Sequence, residues 1–190
     1  MKQKITGSRD LGHGKFLYLR ELDYTDHRGL PRKWESCDRT GEGAGCFIFA
    51  RIVPDDEVLL IRQYRPPCGK LVLEFPAGLI DPGETPEKTA HRELYEETGY
   101  EGKIISVTKP AYSSPGLTGE PITCVFMEID GEAYRGKTVE AHPEEVECID
   151  VFRVPLKRLA EFVRQQEAEG VGVDTKIHML IAGLGLAGKL

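Results

Sequence analysis

Three glutamates, Glu93, Glu96 and Glu97, fall within five residues of the run GLIDPGETPEKTAHRELYEETGY, which spans Gly78 to Tyr100. On a helix, positions three and four apart share a face, so Glu93 projects beside both Glu96 and Glu97. Like charges at that spacing cost roughly 0.2–0.5 kcal/mol each when nothing neutralises them. Arg92 supplies one positive charge. A group of hard carboxylate oxygens with negative charge left over suits Mg²⁺ or Mn²⁺. A solvated, charged helix face would account for the glutamates alone, but not for the flanking Gly78 and Gly99 or for Arg92.

The elements that must hold these residues follow from local signals. Asp81-Pro82-Gly83 makes a turn, Thr85 and Pro86 read as N-cap and first helical residue, and Gly99 as the stop, which predicts a helix near 86–98. Ala90 and Leu94 form its apolar contact line. Apolar strands are expected at Cys46–Val53, Val58–Tyr64 and Leu71–Phe75 before it, and at Lys103–Thr108, Ile122–Ile129 and Glu147–Val154 after it. Leu156–Glu169 and about Asp174–Ala187 read as helices. Upstream, Phe16–Asp23 and Arg32–Arg39 flank turn-forming residues and predict an antiparallel hairpin. The glycine-rich joint at 41–45 separates a small β appendage, residues 1–42, from a main domain, residues 43–190. The expected architecture is α+β, a mixed sheet with helices on its faces.

The net charge of −6 over 190 residues argues against a general nucleic-acid or anionic-membrane binder. No stretch approaches the roughly twenty apolar residues of a membrane span, and MKQKITGSRDLGHGKF lacks the apolar core of a secretory signal, so a cytoplasmic location is expected. Five cysteines, Cys37, Cys46, Cys68, Cys124 and Cys148, contain no CxxC pair and point to neither disulfides nor zinc; most are expected to be small core residues. The histidines share no ligand spacing.

The Gly78–Tyr100 run resembles the Nudix box: Gly, five residues, Glu, seven residues, then Arg-Glu-apolar-any-Glu-Glu-any-Gly-apolar. Gly78, Glu84, Arg92, Glu93, Leu94, Glu96, Glu97 and Gly99 match, and Tyr100 replaces the more usual aliphatic. Lys33-Trp34-Glu35-Ser36 with Arg39, Arg62–Pro67, Glu74–Gly78 and Ser114-Pro115-Gly116 resemble the branch of that family that hydrolyses ADP-ribose and related nucleoside diphosphate sugars. Pro115 stands sixteen residues past Gly99, a marker of that branch.

The resemblance implies a Nudix fold, an α/β/α sandwich around a mixed sheet. It also implies a homodimer that exchanges its N-terminal β elements. Glu93 and Glu97 become the leading metal ligands, with Glu96 close behind, the Ala77 carbonyl as an additional ligand, Arg92 holding the carboxylates and Glu84 serving the outer site. The water-activating base falls in the acidic loop 142–147, on Glu147, with Glu144 and Glu145 as alternatives. Arg39 and Arg65 are expected at phosphate or ribose oxygens and Trp34 and Phe16 at the base. Pro115 is expected over the sugar-phosphate end, with Glu120 in the same loop. The implied activity is Mg²⁺-dependent cleavage of ADP-ribose to AMP and ribose 5-phosphate. The alternatives are the same chemistry on UDP-glucose or GDP-mannose, or a non-catalytic ligand sensor built on the same fold.

Overall fold

The computed structural model describes residues 3–41, 43–143 and 148–188. In chain order the strands are β1 (Lys4–His13), β2 (Leu17–Thr25), β3 (Pro31–Arg39), β4 (Gly45–Val53), β5 (Glu57–Arg65), β6 (Lys70–Glu74), β7 (Ala77–Leu79), β8 (Lys103–Val107), β9 (Ala111–Tyr112), β10 (Pro121–Asp130), β11 (Ile149–Pro155) and β12 (Gly172–Val173). The helices are α1 (Pro86–Thr98), α2 (Leu159–Ala168) and α3 (Thr175–Leu186). The contacts divide the chain into two compact units. One holds residues 1–45 and 109–123, the other residues 46–108 and 124–190.

The first unit contains the antiparallel sheet β1-β2-β3. Strands β2 and β3 form the expected hairpin, in register from Leu17 opposite Arg39 to Thr25 opposite Pro31. Its turn closes on Asp26, whose Oδ1 accepts the N–H groups of Arg28 and Leu30, both at 2.9 Å. Gly29 sits there at φ 79°, which a glycine adopts without steric penalty. Strand β1 has no counterpart in the expected elements. Its segment KITGSRDLGH is exposed almost throughout and its pairing slips at Ile5/Gly7 and at Asp10/Gly12, so no period-two apolar pattern marks it.

In the second unit the sheet runs β12-β6-β5-β4-β10-β8, with β11 paired to β5 and β7 to β4. Strand β12 is parallel to β6, whereas β11 and β6 each pair antiparallel with β5, so the sheet is mixed. Val58, Leu59, Leu60 and Ile61 of β5 are all fully buried, the mark of a strand covered on both faces. Leu59 packs with Ile48, Ala50 and Ile52 of β4 against Ala90 and Leu94 of α1. Val58 and Leu60 face the other way, against Leu159 and Val163 of α2 and Ile177 of α3. The layers are therefore helix, sheet, helix, as expected.

Helix α1 begins and ends where its caps dictate. Thr85 is extended, its hydroxyl accepts from Lys88 N, and Pro86 opens the first turn. Gly99 closes the helix at φ 74°, its N–H donating to Tyr95 O at 2.8 Å. The expectation that most cysteines lie in the core is corrected: Cys46 and Cys124 are buried, Cys37 is half-buried, and Cys68 and Cys148 are exposed. Among the described residues no helix is long and apolar enough to cross a membrane.

Candidate active site

Strand β7 and helix α1 pack against each other and bring the box residues together. Glu97 is 2 % exposed, and a carboxylate so buried requires donors. Its Oε2 accepts the Ala77 N–H at 2.9 Å, which ties the helix to the entrance of β7. One residue further along β7, the absent side chain of Gly78 makes room for Glu93. A Cβ at Gly78 would meet Glu93 Oε1 at 1.8 Å and Cδ at 2.1 Å.

Arg92 organises the remaining carboxylates. Its Nη1 donates to Glu93 Oε1 at 2.7 Å and to Glu96 Oε2 at 3.2 Å. Its Nη2 donates to Glu84 Oε2 at 3.1 Å and to the Leu79 carbonyl at 3.2 Å. Burial works against the guanidinium charge, but Glu84, Glu93 and Glu96 outweigh it and hold the Arg92 pKa above its ordinary value. Glu84 responds in the opposite sense: Arg92, then the Thr89 hydroxyl at 2.8 Å, hold its carboxyl below the usual range. Behind Gly78 lies Cys46, whose thiol burial pushes up to about 12, against a hydrogen bond from the Gly78 backbone. A thiol so raised stays neutral near pH 7 and packs as a small apolar group.

The donor chemistry here is all carboxylate oxygen, which fits a hard divalent cation and not a soft one. Among the described residues, however, no group of three or more His, Cys, Asp or Glu side chains is gathered as a metal cage. Arg92 occupies Glu93 and Glu96, and the Ala77 amide draws Glu97 toward β7. Glu144, Glu145 and Glu147 lie outside the described residues.

The chain just before that acidic run is well placed on the helix. His142 N donates to Glu96 O at 2.6 Å, and the His142 and Tyr95 rings stack with centroids 5.0 Å apart and planes 28° from parallel. No signal in the sequence assigns either ring a role. The box pattern leaves position 95 unspecified, and nothing local connects residue 95 to residue 142.

The expected substrate residues gather in two pairs within the first unit. Trp34 Nε1 donates to Gly116 O at 3.0 Å, and Trp34 and Pro115 line a groove of ≈ 440 Å³ with Lys4, Ile5, Leu22 and Tyr24. Arg39 Nε pairs with Glu120 Oε1. Between these pairs Cys37 N donates to Leu117 O at 2.9 Å, so the 114–120 loop lies along β3. Phe16 does not line that groove; it precedes β2, with Lys15 Nζ 4.9 Å from its ring centroid. In the second unit Arg65 Nε donates to Glu74 Oε2 at 2.8 Å. Burial raises the Glu74 pKa and Arg65 opposes it.

Residues 41–171 match the NUDIX domain. The chain is 33% identical over 181 residues to the ADP-ribose pyrophosphatase of Saccharomyces cerevisiae, covering 91% of this chain and 78% of that protein. It is 33% identical over 184 residues to the GDP-mannose pyrophosphatase of Cronobacter sakazakii, covering 91% of this chain and 90% of the relative. A solved structure described as an ADP compounds hydrolase superposes with a TM-score of 0.69 at 22% identity, covering 100% of this chain and 98% of that one, which establishes a shared fold. With the box residues assembled on β7 and α1 and the domain match spanning residues 41–171, more than half of the chain, the chain belongs to the Nudix hydrolase family.

Proposed function

We propose that this protein is a Mg²⁺-dependent pyrophosphohydrolase that cleaves ADP-ribose to AMP and ribose 5-phosphate. The observation that carries the reaction class is the seating of Glu93 in the space left by Gly78, on the same helix as Glu96 and Glu97. A glycine held open for one carboxylate is a constraint that a merely solvated acidic helix does not need.

Glu93, Glu97 and Glu96, with the Ala77 carbonyl, would hold the cation. Bound there, it supplies neutralisation of the diphosphate oxygens and a lowered pKa for a coordinated water. The residues of the chain do the rest. Arg92 keeps Glu93 and Glu96 on one side of the helix, and Glu84 in turn balances Arg92. Glu147, with Glu144 and Glu145 as alternatives, takes the proton of the attacking water as its oxygen bonds to phosphorus. The bridging P–O bond breaks, and the departing phosphate keeps that electron pair.

The yeast relative and the place of Pro115 sixteen residues past Gly99 support ADP-ribose. In this reading Trp34 and Phe16 stack on the base, Arg39 and Arg65 meet phosphate or ribose oxygens, and the Pro115–Glu120 loop covers the sugar-phosphate end. Residues 1–42 act as a dimerisation and base-binding appendage to the hydrolase domain 43–190, exchanged between the two subunits of a cytoplasmic homodimer. The large apolar side chains that the first unit exposes, Ile5, Leu11, Leu17 and Leu19 among them, support such a contact.

The similarity to a GDP-mannose pyrophosphatase favours one second reading, the same chemistry on a guanine nucleotide sugar. The test is a panel of ADP-ribose, ADP-glucose, UDP-glucose and GDP-mannose with Mg²⁺, ranked by kcat/KM. At least a tenfold preference for ADP-ribose is expected; preference for GDP-mannose would move the assignment to the second reading. Binding of these ligands with no metal-dependent turnover would make the protein a sensor instead.

A further inference from the structure

The segment 139–142 meets the C-terminal turn of α1 at three separate points. A Cβ at Gly99 would lie 2.2 Å from Glu140 O and 2.8 Å from Val139 Cγ1, so the backbone of the segment runs directly over the helix-terminating glycine. His142 N donates to the Glu96 carbonyl at 2.6 Å. The His142 imidazole lies against the Tyr95 ring at 5.0 Å. Just upstream, the Tyr134 hydroxyl accepts from Glu101 N at 2.9 Å and its ring packs on Tyr100 at 4.8 Å. These contacts flank Glu96 and Glu97, and the acidic run starting at Glu144 follows two residues after His142.

From this geometry we infer that Tyr95 and His142 are positioning residues for the hydrolysis, their stacked rings clamping residues 139–143 onto the turn of α1 that carries Glu96 and Glu97. The inference rests on the reaction proposed above, because it assigns the clamp a purpose in that reaction. The demand it answers is one of geometry. Carboxylates on a helix and a base on a separate loop must agree in position to a fraction of an ångström, and a misplacement of about 1 Å can lower the rate about 10²-fold. A backbone hydrogen bond alone fixes one point and leaves the segment free to pivot about it. A ring stack on the same residue removes that freedom. The rings act by shape, with no proton transferred by the imidazole, so a phenyl group at 142 is expected to serve as well.

The test compares wild type, Tyr95→Ala, His142→Ala and His142→Phe, with ADP-ribose and Mg²⁺. Both alanine variants are expected to lose about tenfold or more in kcat with KM changed less than about threefold, and His142→Phe to recover most of that loss with an unchanged pH profile. Alanine variants with wild-type kcat would overturn the inference. A His142→Phe as impaired as His142→Ala would also overturn it, since that pattern assigns the imidazole a chemical role. Amide hydrogen exchange gives a readout independent of turnover: faster exchange at residues 140–142 and 96–99 is expected in His142→Ala and slow exchange in His142→Phe. If wild type hydrolyses none of the panel yet the exchange pattern appears, the reaction assignment fails and the clamp stands. If wild type is active and the exchange of His142→Ala is unchanged, the clamp fails alone.

Discussion

Glu93 Oε1 occupies the place a Gly78 side chain would take, at 1.8 Å from the Cβ that any other residue would carry there. The contact joins the two ends of the box, β7 and α1, through a carboxylate proposed to hold the cation. Gly78→Ala must therefore push Glu93 aside or separate strand from helix. A displacement on the order of 1 Å at the reacting centre is expected to lower kcat about 10²-fold. Steady-state kinetics of Gly78→Ala, with circular dichroism to verify folding, measures this; full activity would show that the carboxylate position does not matter.

Arg92 bridges three carboxylates from two stretches of chain, Glu84 before the helix and Glu93 and Glu96 on it. A planar fork is needed, since one nitrogen serves Glu93 and Glu96 while the other serves Glu84 and Leu79 O. Arg92→Lys retains the charge but offers a single ammonium. It is expected to lose most of the activity lost by Arg92→Ala, with a lower Tm in both. If lysine restored wild-type kcat, charge alone would be sufficient and the fork would have no role.

A pH effect follows from Glu84. Arg92 and Thr89 hold its carboxyl below the ordinary 4.5. A group with a depressed folded-state pKa contributes stability that is present above its unfolded pKa and is lost as pH falls through the folded value. Wild type should thus lose Tm on acidification below about pH 4.5, and Glu84→Gln should lose less over the same window. Parallel thermal melts from about pH 6 to about pH 3 decide it; identical slopes would remove Glu84 from the acid response.

Helix α1 was legible because its limits are written in side-chain chemistry: Thr85 as cap, Pro86 at the first turn, Gly99 at a positive φ. The strands β4, β5 and β6 were legible as apolar runs, most clearly in β5, where Val58 to Ile61 are buried without a break and both faces select apolar residues. Strand β1 was not, because a strand with exposed faces and two register shifts carries no periodic signal. The partnership of Trp34 with Gly116 and of Arg39 with Glu120 was equally hidden. Residue types made each a candidate, but the pairing depends on backbone contacts such as Cys37 N to Leu117 O between segments some eighty positions apart. The Tyr95–His142 stack is hidden for the same reason.

Trp34 offers a test of substrate recognition separate from chemistry. Its indole N–H is held by Gly116 O while half of the side-chain surface stays exposed, so the ring is fixed at one edge and presents area for stacking. Stacking of a base on an aromatic ring contributes about 1–3 kcal/mol. Trp34→Ala should raise KM for ADP-ribose roughly 5- to 150-fold, with kcat changed far less. The reverse pattern would exclude Trp34 from binding the base.

The base is the remaining assignment, and the resemblance to the family ranks Glu147 above Glu145 and Glu144. A carboxylate that takes the proton from water is lost on conversion to the amide, whereas one that only solvates the loop is not. Glu147→Gln should therefore reduce kcat by about 10²–10⁴, Glu144→Gln and Glu145→Gln by less than about threefold, and KM should hold in all three. The pH profile adds an independent signature: removal of the true base abolishes the acidic limb of kcat, while a neighbouring substitution only shifts it. If Glu145→Gln loses both turnover and the acidic limb while Glu147→Gln keeps them, the base is Glu145. The distance along the chain from the His142 anchor to the base would then be three residues in place of five.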